Sequence, residues 1–217
     1  MLKALAIKEL RESAGLVALA VLASVFMLAE LTGMPLLPWS NGQPVAYPFV
    51  NDGGLYFYLW LIAGGLGVLL GLKQSAWELW QGSYYFLLHR PTGRKQVFGT
   101  KLAIGGGLLL TITAAAILIY ALWAAAPGHH ASPFFWSMTG AAWQFWFATP
   151  LVYLGAFFSG IRPGRWYGSR LAPLAAGIAL AMLVAFVPWW WLGVVIGIVA
   201  TVAYLAAIFL YVESRDY

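Results

Sequence analysis

Five of the twelve Lys and Arg residues fall between Lys73 and Lys101, a stretch flanked on both sides by long apolar runs. Arg90 and Arg94 offer planar, multi-donor groups that suit carboxylates on a partner. Pro91 disfavours helix at Arg90, and Thr92-Gly93 completes a turn that presents both arginines. Upstream, Trp77, Trp80, Tyr84, Leu87 and Leu88 form a helical apolar stripe, with Glu78, Gln81 and Gly82 off it. A second helix is expected from Arg94 through Lys101. The chemistry on offer is docking, and a charged loop that only fixes topology is the plain alternative.

Catalytic chemistry is poorly provided for. The chain has no cysteine, hence no disulfide, thiolate metal site or thiol nucleophile. It lacks a Gly-x-x-x-x-Gly-Lys-Ser/Thr phosphate loop and a Gly-x-Ser-x-Gly elbow. His129-His130 is an adjacent pair in a loop, not the i, i+4 spacing of a helical metal site. No catalytic residue, metal or resident cofactor is expected. The remaining polar candidates lie inside apolar runs. Glu30 is a carboxylate near the end of the first run, and such groups are functional candidates by default. Gln144, Thr149 and Pro150 could form a polar, kinked surface along a translocation path, although helix–helix hydrogen bonding and packing are the plainer account of them.

The elements that must position these residues follow from composition. The chain is 62% hydrophobic and 9% charged, with a mean hydropathy of +0.81, whereas soluble domains carry about 25% charged residues. Lipid is therefore its main solvent. Six runs are long enough to span: Ala14–Thr32, Gly54–Leu72, Leu102–Ala124, Met138–Ser159, Leu171–Val187 and Trp190–Tyr211. Proline and glycine punctuate the breaks at Pro35, Pro38, Asn41-Gly42, Pro127-Gly128, Pro163-Gly164 and Pro188. All twelve basic residues can be placed on one side, since none falls in 33–53, 125–137 or 188–189. Basic loops stay cytoplasmic, which predicts cytoplasmic termini. The net charge of +5 then reflects topology and does not call for nucleic acid.

Residues 1–13 read as a short amphipathic helix on the inner membrane surface, with Leu2, Leu5, Ile7 and Leu10 on one arc. The mixed charge of Glu9 and Glu12 and the length of the following run argue against a cleaved signal peptide. The glycines Gly64, Gly65, Gly67, Gly71 and Gly105 to Gly107 predict close helix approach. The expected architecture is all-α: six transmembrane helices, an interfacial N-terminal helix, and a helix-turn-helix over residues 73–101. By this reading the spans bury no Asp, Lys or Arg, which favours an apolar or amphipathic cargo over a cation.

The order Glu78-x-x-x-Gly82-Ser83, Leu87-Leu88-His89-Arg90-Pro91-Thr92-Gly93-Arg94, then Lys101, resembles the first cytoplasmic loop of type-two ATP-binding-cassette (ABC) exporter permeases. Ser83 stands where that family usually has Thr. The resemblance implies that Glu78, Gly82, Arg90, Pro91 and Arg94 couple the chain to a separate cytoplasmic ABC ATPase dimer that binds ATP and Mg. It also implies a second permease copy or related chain, and a bacterial or archaeal cytoplasmic membrane. The expected function is the permease subunit that couples ATP hydrolysis to export. The alternative is a membrane scaffold that anchors such an ATPase for mechanical or assembly work.

Overall fold

A computed structural model describes residues 2–34, 36, 44–50, 52–80, 93–130, 132–165 and 168–214. The described residues are helical, without a strand. The elements are α1 (Leu2–Leu31), α2 (Gly53–Trp77), α3 (Arg94–Ala125), α4 (Gly140–Ile161), α5 (Ala172–Phe186) and α6 (Trp190–Ser214). A helical turn, Glu78–Trp80, continues α2, and a 3-10 turn, Trp136–Thr139, leads into α4.

Local chemistry sets the boundaries. Helix α1 stops at Gly33, whose φ of 77° is the left-handed conformation open to glycine. The Gly33 N–H bonds Glu30 O and the Met34 N–H bonds Ala29 O, the paired closure that satisfies a helix's last carbonyls. Helix α2 starts where Asp52 Oδ1 accepts the Leu55 N–H at 2.9 Å, an N-cap. Two segments of α2, Trp60–Gly64 and Lys73–Trp77, are π turns, in which one extra residue widens the helix.

One correction concerns the N-terminus. Residues 2–13 do not form a separate interfacial helix; they are the first turns of the 30-residue α1. Glu9 and Ser13 are buried against neighbouring helices, while Arg11 and Glu12 on the polar side stay exposed.

Helix α4 sits at the centre, packed on α2, α3, α5 and α6, while α1 packs mainly on α3. The tightest crossing is α4 on α5. A Cβ on Gly155 would lie 2.7 Å from the Pro173 carbonyl oxygen, and one on Gly177 would lie 2.5 Å from that of Leu151. Only glycine lets these backbones touch. Four helices, α1, α2, α3 and α6, are long and apolar enough to cross a membrane. Helix α4 has the length, at 22 residues, but its Gln144, Thr149 and Trp residues lower its hydropathy. That composition is tolerable in a helix enclosed by others. Helix α5 has 15 residues, and at 1.5 Å per residue it is about 22 Å long, short of a hydrocarbon core of about 30 Å.

Pro150 lies inside α4 and has no N–H for the carbonyl of Trp146. The Thr149 hydroxyl donates to that carbonyl instead, at 2.8 Å. Replacing Thr149 by valine should therefore cost about 1 kcal/mol, the usual net worth of such a bond. The same change in a Pro150→Ala background should cost much less, because alanine at that position supplies the N–H. Thermal unfolding of the four proteins in lipid nanodiscs would measure this; equal costs in both backgrounds would disprove the substitution of one donor for another.

Candidate functional site

A buried polar cluster occupies the end of the bundle where α1 and α3 begin and α2 finishes. At its centre is Lys101, on α3, with a side chain that is 0% exposed. Its Nζ lies 2.6 Å from Glu9 Oε1 on α1 and 2.7 Å from Glu78 Oε2 in the turn that continues α2. Those carboxylates are 1% and 5% exposed. Lys8 closes the outer side, with Nζ 3.0 Å from Glu78 Oε1 and 3.9 Å from Glu9 Oε1. Its side chain is 35% exposed, and it also lies 3.5 Å from Glu12 Oε1, one helical turn on. The Lys73 ammonium donates to the Glu12 carbonyl oxygen.

The cluster continues inward as neutral hydrogen bonds. Gln74 Nε2 donates to Glu9 Oε2 at 3.1 Å, and Tyr153 OH, on α4, donates to Gln74 Oε1 at 2.7 Å. The tyrosine thereby fixes which end of the amide faces the carboxylate. Gly105 on α3 makes room for this chain: a Cβ there would overlap Gln74 Oε1 and the Tyr153 hydroxyl. A Cβ on Gly71 would lie 2.7 Å from Ala156 Cβ, so α2 and α4 touch beside the cluster. Of the other glycines expected to pack closely, Gly65 and Gly107 face open space.

Buried charges persist only when paired and hydrogen-bonded, and each member here has such partners. Glu9, Glu12 and Glu78 place carboxylate oxygens within 4.8 Å of one another, a spacing that could suit a hard cation. The two ammonium groups already supply that cation chemistry.

Two buried ionisable groups lie just outside the apolar runs: Lys101 is enclosed, and Asp52 at the opposite end is buried, accepting the Tyr120 hydroxyl at 3.0 Å. The polarity of the loop's first helix is also the reverse of a soluble helix. Trp77 and Trp80 stand exposed, edge to face at 5.3 Å, while Gln74, Ser75 and Glu78 point inward. In a lipid-facing helix the apolar stripe is the outer surface.

Of the residues proposed for coupling, Glu78 is in this cluster and Arg94 opens α3, one residue after its N-cap Gly93. Gly82, Arg90 and Pro91 lie outside the described residues. Next to Arg94, Lys95 pairs with Glu213 near the end of α6, which brings the last helix to the same end of the bundle. The proposed path residues have separate attachments. Gln144 Nε2 donates to the carbonyls of Val184 and Val187 at 2.7 and 2.9 Å, closing the end of α5. The Thr149 hydroxyl turns back on its own helix, so these two do not line one polar route. Glu30 is half-buried in the last turn of α1. His129 and His130 use ring nitrogens on the Ala126 and Ala124 carbonyls, at 3.1 and 2.6 Å, and so cap the end of α3.

Between α4 and α6, away from the cluster, lies an open groove of about 420 Å³ lined by Trp143, Gln144, Trp146, Phe147, Trp190 and Val194.

Sequence reasoning missed Glu9, Gln74 and Tyr153. A usable signal was present: Gln74 and Glu78 stand four apart where an apolar run ends, level with Glu9 and Lys101 at the starts of two others. The chain matches no protein-family model, and no curated protein or solved structure is significantly similar to it.

Proposed function

We propose that this chain is the membrane-spanning permease subunit of an ABC exporter, driven by separate ATPase subunits that dock on its coupling loop, residues 73–101. In this reading α4, and α5 lengthened by the residues that flank it, complete six crossings, and the basic end, with both termini, faces the cytoplasm. Two such subunits assemble one transporter. The observation that carries the proposal is the contact between Glu78 and Lys101, 2.7 Å apart and buried. Both belong to the loop motif, one on each side of its Arg90-Pro91 pair. Through Glu9, Gln74 and Tyr153 the same contact reaches α1 and the central α4, so a push on the loop would be shared by four helices. An apolar or amphipathic cargo is supported by the groove between α4 and α6, whose lining is aromatic and aliphatic apart from Gln144.

The test is affinity purification from native membranes. The wild-type chain should retain an ABC ATPase and its ATP hydrolysis. Reversing charge at Arg90 and Arg94 together should remove at least tenfold of the bound ATPase while membrane insertion persists. An unchanged complex would exclude docking through these arginines. A functional complex that hydrolyses ATP after reconstitution but moves no lipid or amphipathic probe would favour the scaffold.

A further inference from the structure

We propose that Glu9 and Glu78 form a proton-binding site that fills when the Lys8 ammonium leaves the rim of the buried cluster. Charge is the starting point. Lys101 is enclosed between two carboxylates, 2.6 and 2.7 Å away, and one ammonium cannot neutralise both. Among the described residues the second positive charge comes from Lys8, 3.0 Å from Glu78. With Lys8 in place the buried set is neutral. Without it, two carboxylates and one ammonium leave a net charge of −1 in a site with almost no access to water.

Lys8 has somewhere to go. Glu12 lies on the same face of α1, four residues on, with its carboxylate 44% exposed and 3.5 Å from Lys8 Nζ. A rotamer change suffices to exchange the buried Glu78 for the exposed Glu12, and neither α1 nor α2 need move. The charge left behind is then removed by one proton from water, which forms an O–H bond on Glu9 or Glu78. The acid so formed is held against its neighbour, as in any pair of carboxylates too close to ionise together. No other reactant is required.

Among the described residues, the remaining groups that face the pair are few. From α1 they are Lys8 and Glu12; from α2, Gln74 and Lys73, the latter bonded to the Glu12 carbonyl. From α3 there is Lys101, and from α4 Tyr153, whose hydroxyl is engaged by Gln74. Gln74 and Tyr153 are neutral and cannot supply the missing charge. Acid therefore favours Lys8 at the outer position, and alkali favours it docked. The site makes the position of the Lys8 side chain depend on the pH of the water at that end of the bundle. This holds whether or not an ATPase docks there.

The experiment is infrared spectroscopy of the full chain in nanodiscs, following the protonated-carboxyl C=O band and its shift in heavy water. At neutral pH the wild type should lack the band, and Lys8→Gln should show it at about one group per chain. Lys8→Gln/Glu9→Gln, which leaves Glu78 paired with Lys101, should lose it again. A Lys8→Gln protein without the band overturns the proposal, and so does a band that survives in the double variant. If Lys8→Gln does not fold, Glu12→Gln, which disturbs no buried carboxylate, serves instead. By removing the outer partner it should shift the onset of the wild-type band to lower pH. An unchanged onset would also overturn the proposal.

Discussion

Replacing Lys101 by methionine should be the most damaging single change in the chain. It leaves Glu9 and Glu78, 1% and 5% exposed, facing each other with only the rim Lys8 for compensation. Removing one member of a buried ion pair costs about 3–5 kcal/mol, because the charges that stay behind are uncompensated. Against a total stability of about 5–15 kcal/mol, that is enough to unfold much of the population near its working temperature. The damage should be reversible by chemistry alone. Lys101→Met/Glu9→Gln should be more stable than Lys101→Met, since it removes the one charge that Lys8, paired with Glu78 at 3.0 Å, does not offset. Thermal unfolding in nanodiscs measures the ranking. A Lys101→Met protein as stable as the wild type would sink the account of the cluster.

The second large effect is expected at Gly105. An alanine Cβ there would lie 2.7 Å from Tyr153 Cζ and overlap the tyrosine hydroxyl and the Gln74 amide oxygen. Overpacking of this kind costs about 1–3 kcal/mol. Displacing Gln74 also takes a hydrogen bond from the buried Glu9, which raises the cost further. Gly107 is the control. It is two residues along the same helix with nothing within 4 Å of its Cβ position, so Gly107→Ala should gain up to about 1 kcal/mol from helix propensity. Substitutions of the same type on one helix are thus expected to have opposite signs. Equal effects at the two positions would mean that α3 and α4 are not in contact as described.

What could be read from the sequence follows a physical division. Apolar length, proline and glycine breaks and the one-sided distribution of Lys and Arg are local or cumulative signals. They led to the helical runs, including the start of a helix at Arg94. Burial of charge is not local. Glu9 and Lys101 are 92 positions apart, and nothing in either neighbourhood states that they meet. Lys8, Arg11 and Glu12 read as the polar side of a short helix, and nothing local sets the buried Glu9 apart from them. Glu78 was singled out from its motif, but its inward orientation had to come from packing. In lipid the rule that the apolar stripe faces the protein fails, and Trp77 and Trp80 mark the outside.

The π turn at Lys73–Trp77 has a consequence for how this chain tolerates change in length. A π turn holds one residue of excess locally, and the helix on either side of it keeps its phase. Deleting one residue from Lys73–Trp77 would close the π turn to an ordinary α turn and leave Glu78 aligned with the body of α2. An inserted residue has no such reserve and would turn Glu78 by about 100° around the axis, away from Lys101. This end of the molecule should therefore tolerate the loss of one residue better than the gain of one.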